Sequence, residues 1–210
     1  MDRTFWLEKW AHKQIGFHRD GVHPDLVDHA PSFLGDGPHR VLVPLCGKTV
    51  DLHWLAESGH QVTGVELSDI AAREFHQEQG RSPTRSVAGP FTVLQSPNLR
   101  YLVGDVFGLD GTFDRVWDRA ALVALAPEQR RPYVNLVRRV ASGGELLLVT
   151  FDYDPTVMSG PPFALPHDEV RDYYPEAEIL FHADILEHVP AFRERGHGHW
   201  HKTVWRARLP

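Results

Sequence analysis

The chain carries a single cysteine, Cys46, so no intramolecular disulfide is available and nothing indicates an oxidising compartment. No apolar stretch approaches the ~20 residues needed to cross a bilayer. Lys/Arg-rich runs are missing too, and the formal net charge is −6. A protein that binds nucleic acid mainly through phosphates is thereby excluded, because that affinity comes from a basic face releasing counterions. The first residues, MDRTFWLEKWAHKQ, are charged and aromatic and hold no apolar signal-peptide core, so a cytoplasmic location is expected. Internal repeats and inter-domain linkers are absent as well. What is present suits one soluble globular domain with a sizeable core: 210 residues, 24% charged and 42% hydrophobic.

The stretch 40–66, RVLVPLCGKTVDLHWLAESGHQVTGVE, organises the rest. Val41, Leu42 and Val43 form a continuous apolar run, which suits a parallel strand covered on both faces. Pro44 to Lys48 make a turn, Leu52, Leu55 and Ala56 recur at helical spacing, and Gly59 stops that helix. Gln61 to Leu67 is a second strand. It contains Glu66, 19 positions after Gly47, close to the spacing at which a βαβ nucleotide site carries its ribose-binding carboxylate. A vicinal diol offers two donors and a carboxylate accepts both, while Gly47 lets a ligand approach the backbone. A phosphate-binding P-loop would need Gly at position 42, where Leu stands, and a dinucleotide turn needs G-x-G-x-x-G where only Gly47 is found. Both are excluded. A nucleoside cofactor is the leading reading, and a purely structural βαβ unit with a solvated Glu66 stays open.

Elsewhere, residues 1–15 read as a short helix with Phe5, Trp6 and Trp10 on or near one face, packing on the sheet or, for Trp10, covering a ligand. Gly16-Phe17-His18 breaks it, and Val22, Leu26, Val27 and Ala30 keep helical spacing as far as Pro31. Ser68 is the expected N-cap of a helix through Ile70, Ala71 and Phe75 that stops at Gly80, and residues 81–90 read as a Pro/Gly/Ser loop. Strands from Phe91 to Gln95 and from Leu99 to Val103 bracket Ser96-Pro97-Asn98. The second runs into Gly104-Asp105, where Asp105 either accepts from an exocyclic amine or is a turn residue. A short strand at 114–118 exits into Arg119. Pro127 opens a helix with Tyr133, Val137 and Val140 on one face, Gly143-Gly144 close it, and Glu145 to Asp152 is a buried strand. The irregular stretch from Tyr153 to His167 has the length and composition of a functional lid. Strands at 177–181 and 201–208 finish the chain.

Phe5-Trp6 with Trp10, Gly16-Phe17-His18, Val43-Pro44-Leu45-Cys46-Gly47-Lys48, Gly64-Val65-Glu66, Trp117-Asp118-Arg119 with Ala121-Leu122-Val123-Ala124, and Tyr153-Asp154-Pro155 with Gly160-Pro161-Pro162-Phe163 resemble the thiopurine S-methyltransferases. The blocks stand in that family's order from residue 5 to about 195. The resemblance implies the class I methyltransferase fold, a Rossmann-like α/β sheet of about seven strands with the last antiparallel and helices on both faces. It also implies one domain over residues 1–210, with residues 1–35 as an N-terminal helical cap over the cofactor and acceptor site, and S-adenosylmethionine as cofactor. On the family's pattern Trp10, Leu45, Glu66 and Arg119 contact the cofactor, Gly47 passes close to it, and Asp105 and Val106 lie beside the adenine. Phe17, Arg119 and Arg195 border the acceptor pocket. Residues 81–98 match only loosely, and Gly196-His197-Gly198-His199-Trp200-His201 stands outside the family's pattern.

The reaction implied is an in-line displacement in which a thiol or thiolate attacks the sulfonium methyl, the protein supplying binding and alignment. An aromatic or heterocyclic thiol such as a thiopurine, or a related selenium or tellurium species, needs no strong base. The catalytic roles fall to Arg119 and Arg195, which stabilise a thiolate or orient a water while staying cationic; a solvated surface cation is the competing reading, stronger for Arg195 than for Arg119, which directly follows a strand in a matched block. The partner is then a small-molecule acceptor, with no nucleic acid and no membrane, and the chain a monomer. Two other classes compete: a non-catalytic adenosyl-ligand-binding protein, and an O- or N-directed methyltransferase on the same fold. Cys46 reads as packing in the turn, since no base is identifiable beside it. His197, His199 and His201 alternate and would share one face of a strand, as metal ligands or as a solvent-facing edge. No metal is expected.

Overall fold

The computed structural model describes residues 3–210. The strands are β1 (Arg40–Pro44), β2 (Gln61–Glu66), β3 (Thr84–Ala88), β4 (Phe91–Ser96), β5 (Leu99–Val103), β6 (Arg115–Arg119), β7 (Glu145–Asp152), β8 (Glu178–Asp184) and β9 (His201–Arg208). They join one sheet in the order β3-β4-β5-β2-β1-β6-β7-β9-β8. The five strands from β5 to β7 are mutually parallel, and β9 is antiparallel to both neighbours. That is the expected seven-stranded arrangement with its last strand reversed. The described residues form nine strands because β4 and β3 add a double antiparallel hairpin beyond β5.

The helices are α1 (Arg3–Ala11), α2 (Pro24–Leu34), α3 (Asp51–Glu57), α4 (Asp69–Glu78), α5 (Pro127–Val140), α6 (His167–Tyr173) and α7 (Pro190–Glu194). No helix among the described residues is long and apolar enough to cross a membrane. Successive side chains of a strand point to opposite faces, and here both faces are covered. Leu42, Val116, Leu146 and Leu148 join one buried cluster with Tyr133 and Val137 of α5. Val41, Val43, Trp117 and Leu147 join the other with Leu52 and Leu55 of α3 and Phe75 of α4. The continuous apolar runs of β1 and β7 are the consequence. Ser68 Oγ accepts from Ala71 N at 3.3 Å and caps α4 as expected.

Several boundaries differ from the sequence reading. Residues 81–90 read as a loop, yet Thr84–Ala88 form β3; all five residues are exposed, so an outer edge strand lacks the apolar alternation that would reveal it. The helix expected to end at Pro31 continues to Leu34, because the proline's missing N–H leaves a carbonyl unpaired only at Val27, which faces solvent. Val22 precedes that helix, the N-terminal helix is shorter than 1–15, and its expected first two residues lie outside the described ones. The stretch read as irregular through His167 gives way there to α6, and the strand expected at 177–181 is Glu178–Asp184.

Gly144 shows how tightly α5 turns into β7. A Cβ at this position would stand 2.6 Å from Asp114 O and 2.9 Å from Ala141 O, both backbone atoms that cannot give way cheaply. Gly144→Ala is therefore expected to destabilise the fold by about 1–3 kcal/mol in urea denaturation, and an unchanged midpoint would contradict this packing.

Candidate active site

β1 sits between β2 and β6, with the chain leaving it in one direction and returning in the other; ligands of open α/β sheets bind outside the carboxyl ends of strands at such a switch point. The turn after β1 is held open there by unusual backbone. Leu45 has φ 47° and Gly47 φ 52°, and a non-glycine residue in the left-handed region stores on the order of 1 kcal/mol or more unless its surroundings enforce it. The enforcing bonds are visible. Cys46 N donates to Val65 O (3.0 Å), Gly47 N to Glu66 Oε2 (2.9 Å), and Tyr101 OH to Gly47 O (2.6 Å).

Glu66 is 7% exposed. Its other oxygen, Oε1, accepts from Ser68 N at 2.8 Å, so one carboxylate ties the turn after β1 to the turn that starts α4. Burial raises the pKa of Glu66, with the bonds from Ser68 and Gly47 opposing it. At the end of β5, Gly104 N donates to Glu66 O (2.9 Å). Asp105 accepts from Phe107 N (3.0 Å) and pairs with Arg3 at 3.7 Å, so its turn role is realised at the site's rim, while Val106 is buried.

The N-terminal segment closes over this edge. Trp10 is 3% exposed, and a Cβ on Gly47 would meet its Cζ2 at 3.1 Å, so only glycine leaves that ring its present place. Phe17 meets Trp6 and Trp10 edge-on at 5.8 and 5.7 Å. Its carbonyl accepts from Arg119 Nη1 at 2.9 Å. The three residues that end β6 serve three layers: Trp117 Nε1 donates to Asp51 of α3 (2.9 Å), Asp118 accepts from Leu122 N (3.0 Å) and from Tyr133 OH of α5 (2.7 Å), and Arg119 reaches Phe17. Ala120 follows with φ 64°.

Other expected site residues are placed differently. Arg195 is exposed at the end of α7, its guanidinium 3.7 Å from Met158 Sδ and 5.4 Å from the Phe192 ring centroid. The two arginines expected to share a pocket thus engage different segments, Arg119 the N-terminal one and Arg195 the loop 153–166. That loop is fastened by Phe163 N to Val123 O (2.7 Å) and by buried Arg130, which pairs with Glu169 at 2.7 Å and donates to Ala164 O at 3.2 Å. His197, His199 and His201 do not share a strand face, because β9 begins only at His201. His197 is buried against Tyr153 and Trp200, and His201 lies between His182 and His199. Among the described residues no three His, Cys, Asp or Glu groups come together to hold a metal. Cys46 is buried, its thiol pushed well up in pKa by burial and then by Glu66, which suits packing and not nucleophilic chemistry. Clefts of about 340 and 360 Å³ flank the loop 153–166 and share Asp152 and Pro166; neither is lined by the Gly47 turn, which Trp10 covers.

Asp51, Tyr101 and Asp118 hold these turns and strands together without standing out in the sequence. Only Asp118 had a signal, its place inside the Trp117-Asp118-Arg119 block.

Sheet order and the reversed last strand are those of the class I methyltransferase fold. The same fold occurs in the 1,6-didemethyltoxoflavin-N1-methyltransferase of Burkholderia thailandensis, whose structure holds S-adenosylhomocysteine (TM-score 0.64, 18% identity, 98% of this chain and 87% of that one). It also occurs in TehB of Haemophilus influenzae (TM-score 0.64, 16% identity, 97% and 67%). The family model for thiopurine S-methyltransferase matches residues 1–208. Thiopurine S-methyltransferases of Marinobacter nauticus and Bordetella petrii are 42% and 43% identical over 204 residues, covering 93% of each chain. The chain belongs to the thiopurine S-methyltransferase family, and it is an S-adenosylmethionine-dependent methyltransferase.

Asp118 provides a test of how β6 is wired. Burial raises its carboxyl from 3.8 to about 6, against the bonds from Leu122 and Tyr133. The folded state therefore binds this proton more tightly than the unfolded one. Stability from the protonated group is complete below 3.8 and lost as pH rises to about 6. Relative to Asp118→Asn, the native enzyme should lose about 2 kcal/mol between pH 4 and 7 in urea titrations, at ~1.4 kcal/mol per pH unit between the two pKa values. A difference independent of pH would contradict the assignment.

Proposed function

We propose that the enzyme moves a methyl group from S-adenosylmethionine to a small aromatic or heterocyclic thiol, such as a thiopurine, or to a related selenium or tellurium acceptor, by in-line displacement. The observation that carries this reading is the Glu66 carboxylate: buried, at a strand's carboxyl edge, with one backbone N–H on each oxygen and lone pairs left on both. Those lone pairs fit a ribose diol, whose two hydroxyls would relieve a carboxylate that burial disfavours. Leu45, Gly47 and Val106 offer bare or apolar surface for the nucleoside, Asp105 a carboxylate at its rim, and Trp10 the covering ring. When bound, the cofactor supplies an electrophilic methyl on a sulfonium.

The chain's own work is then to bind, orient and exclude water. Arg119 uses one N–H on Phe17 O and keeps others for the acceptor, where a guanidinium steadies a developing or preformed thiolate without needing to give up its proton. Phe17 walls the acceptor. Arg195, resting on Met158 of the loop 153–166, would join from the opposite side as a second cation on the approaching anion. Relatives named thiopurine S-methyltransferase over nearly the whole chain favour sulfur over oxygen or nitrogen. We take residues 1–210 as one methyltransferase domain acting as a monomer in the cytoplasm, with residues 1–35 as the cap.

Incubation with S-adenosylmethionine and a panel of aromatic thiols, phenols and amines should give methylated thiols, and product from phenols or amines alone would overturn the acceptor class. Glu66→Ala should weaken S-adenosylhomocysteine binding by about 1–3 kcal/mol in calorimetry; unchanged affinity in the folded variant would remove Glu66 from the cofactor site.

A further inference from the structure

Lys48 directly follows Gly47 and is the charged residue of the turn from Pro44 to Lys48. Its side chain is only 8% exposed, a degree of burial that lysine rarely reaches unless its ammonium is paired. The pairing is double. Lys48 Nζ meets Glu74 Oε2 at 3.0 Å and Glu78 Oε1 at 2.5 Å. Both acids belong to α4 and stand four residues apart, on one face of the helix, where like charges repel. They gain from facing one point because the ammonium lies between them.

The helix α4 is thereby tied to the turn after β1 in two places. At its start, Ser68 N donates to Glu66 Oε1, whose other oxygen holds Gly47 N. In its later turns, Glu74 and Glu78 hold Lys48, 30 positions from Glu78 in sequence. A helix tied at one end can pivot about that end, and a second tie fixes its distance from the turn. Between the two ties lie Leu45 at φ 47° and Gly47 at φ 52°, and a leucine keeps left-handed backbone only where its surroundings enforce it. We propose that Lys48 is a positioning residue for the cofactor: clamped between Glu74 and Glu78, it braces the turn against α4, so that S-adenosylmethionine meets Leu45 and Gly47 already in their binding conformation. This role rests on the cofactor lying along the Glu66 edge, as proposed above. Without the clamp, Glu66 still reaches both amides, but the turn spends part of its time in other conformations. Ordering it then draws on the binding free energy. A turn that is competent about one tenth of the time lowers the apparent affinity about tenfold.

Calorimetric binding of S-adenosylhomocysteine, with amide exchange at Gly47 measured in the ligand-free proteins, tests this. Lys48→Met should bind about tenfold more weakly than the native enzyme, and Gly47 should exchange faster. Glu74→Gln combined with Glu78→Gln should give a similar loss, and adding Lys48→Met to that pair should weaken binding no further, because the three residues act as one unit. Gly144→Ala, which strains the turn from α5 into β7 instead, should keep native affinity although it lowers stability. That control separates bracing of the cofactor turn from general destabilisation. If Lys48→Met fails to fold, the Glu74→Gln, Glu78→Gln protein, with its lysine in place, makes the same comparison. Native affinity in folded Lys48→Met, an additive further loss in the triple variant, or an equal loss in Gly144→Ala would overturn the proposal. The two readings fail separately: unchanged affinity in Glu66→Ala removes the cofactor from this edge, whereas a loss in Glu66→Ala with none in Lys48→Met removes only the clamp.

Discussion

One carboxylate, that of Glu66, lies where two turns of the chain meet, and each of its oxygens holds a backbone N–H from a different turn. Burying an ionised carboxylate without partners costs several kcal/mol, so Gly47 N and Ser68 N must stay where they are if Glu66 is to stay charged. That requirement reaches outward. It keeps Leu45 and Gly47 in left-handed backbone and sets the N-cap that starts α4. Tyr101, from β5, closes the same turn through Gly47 O. Trp10 then rests on a backbone that has no Cβ to push it off. The edge proposed for the cofactor is thus prepared by protein bonds, with lone pairs of Glu66 left over.

A second division of labour lies one strand away. Trp117, Asp118 and Arg119 are consecutive, and strand alternation sends them to different faces and then off the strand's end. Trp117 fastens α3 through Asp51, Asp118 fastens α5 through Tyr133, and Arg119 fastens the N-terminal segment through Phe17. The sheet, both helical layers and the covering segment are therefore registered to one another within three residues. A small shift in β6 would move all of them, which explains why this short block is dense with buried polar groups. Trp117 and Asp118 are at most 1% exposed.

Much of this was legible in the sequence where cause and effect lie close together. The β1–α3–β2 unit shows itself through a continuous apolar run, a helical apolar stripe and Gly59, whose φ of 93° is the left-handed stop that its position suggests. Glu66 is legible because its distance from Gly47 follows from the length of one helix and one strand. The strand at 145–152 is legible because both its faces are buried. The family resemblance rests on similarly local blocks. What was not legible depends on partners far apart in sequence or on surfaces with no apolar signature. β3 is wholly exposed and exists because β4 offers it an edge. Asp51 and Trp117 are 66 positions apart, and Asp25 and Lys202 are 177 apart. The histidines at 197, 199 and 201 alternate in sequence, but the chain is not yet a strand at 197, so alternation says nothing about a shared face.

Glu66 and its two amides, as proposed, form the floor of the cofactor site beneath Trp10. Residue-resolved amide hydrogen exchange, with and without saturating S-adenosylhomocysteine, tests it most directly. Exchange at Gly47 and Ser68 should slow on binding, together with that of the segment around Trp10 and Phe17 that covers them. Saturable binding that leaves Gly47 and Ser68 exchanging at their free rates would place the cofactor elsewhere and contradict the account.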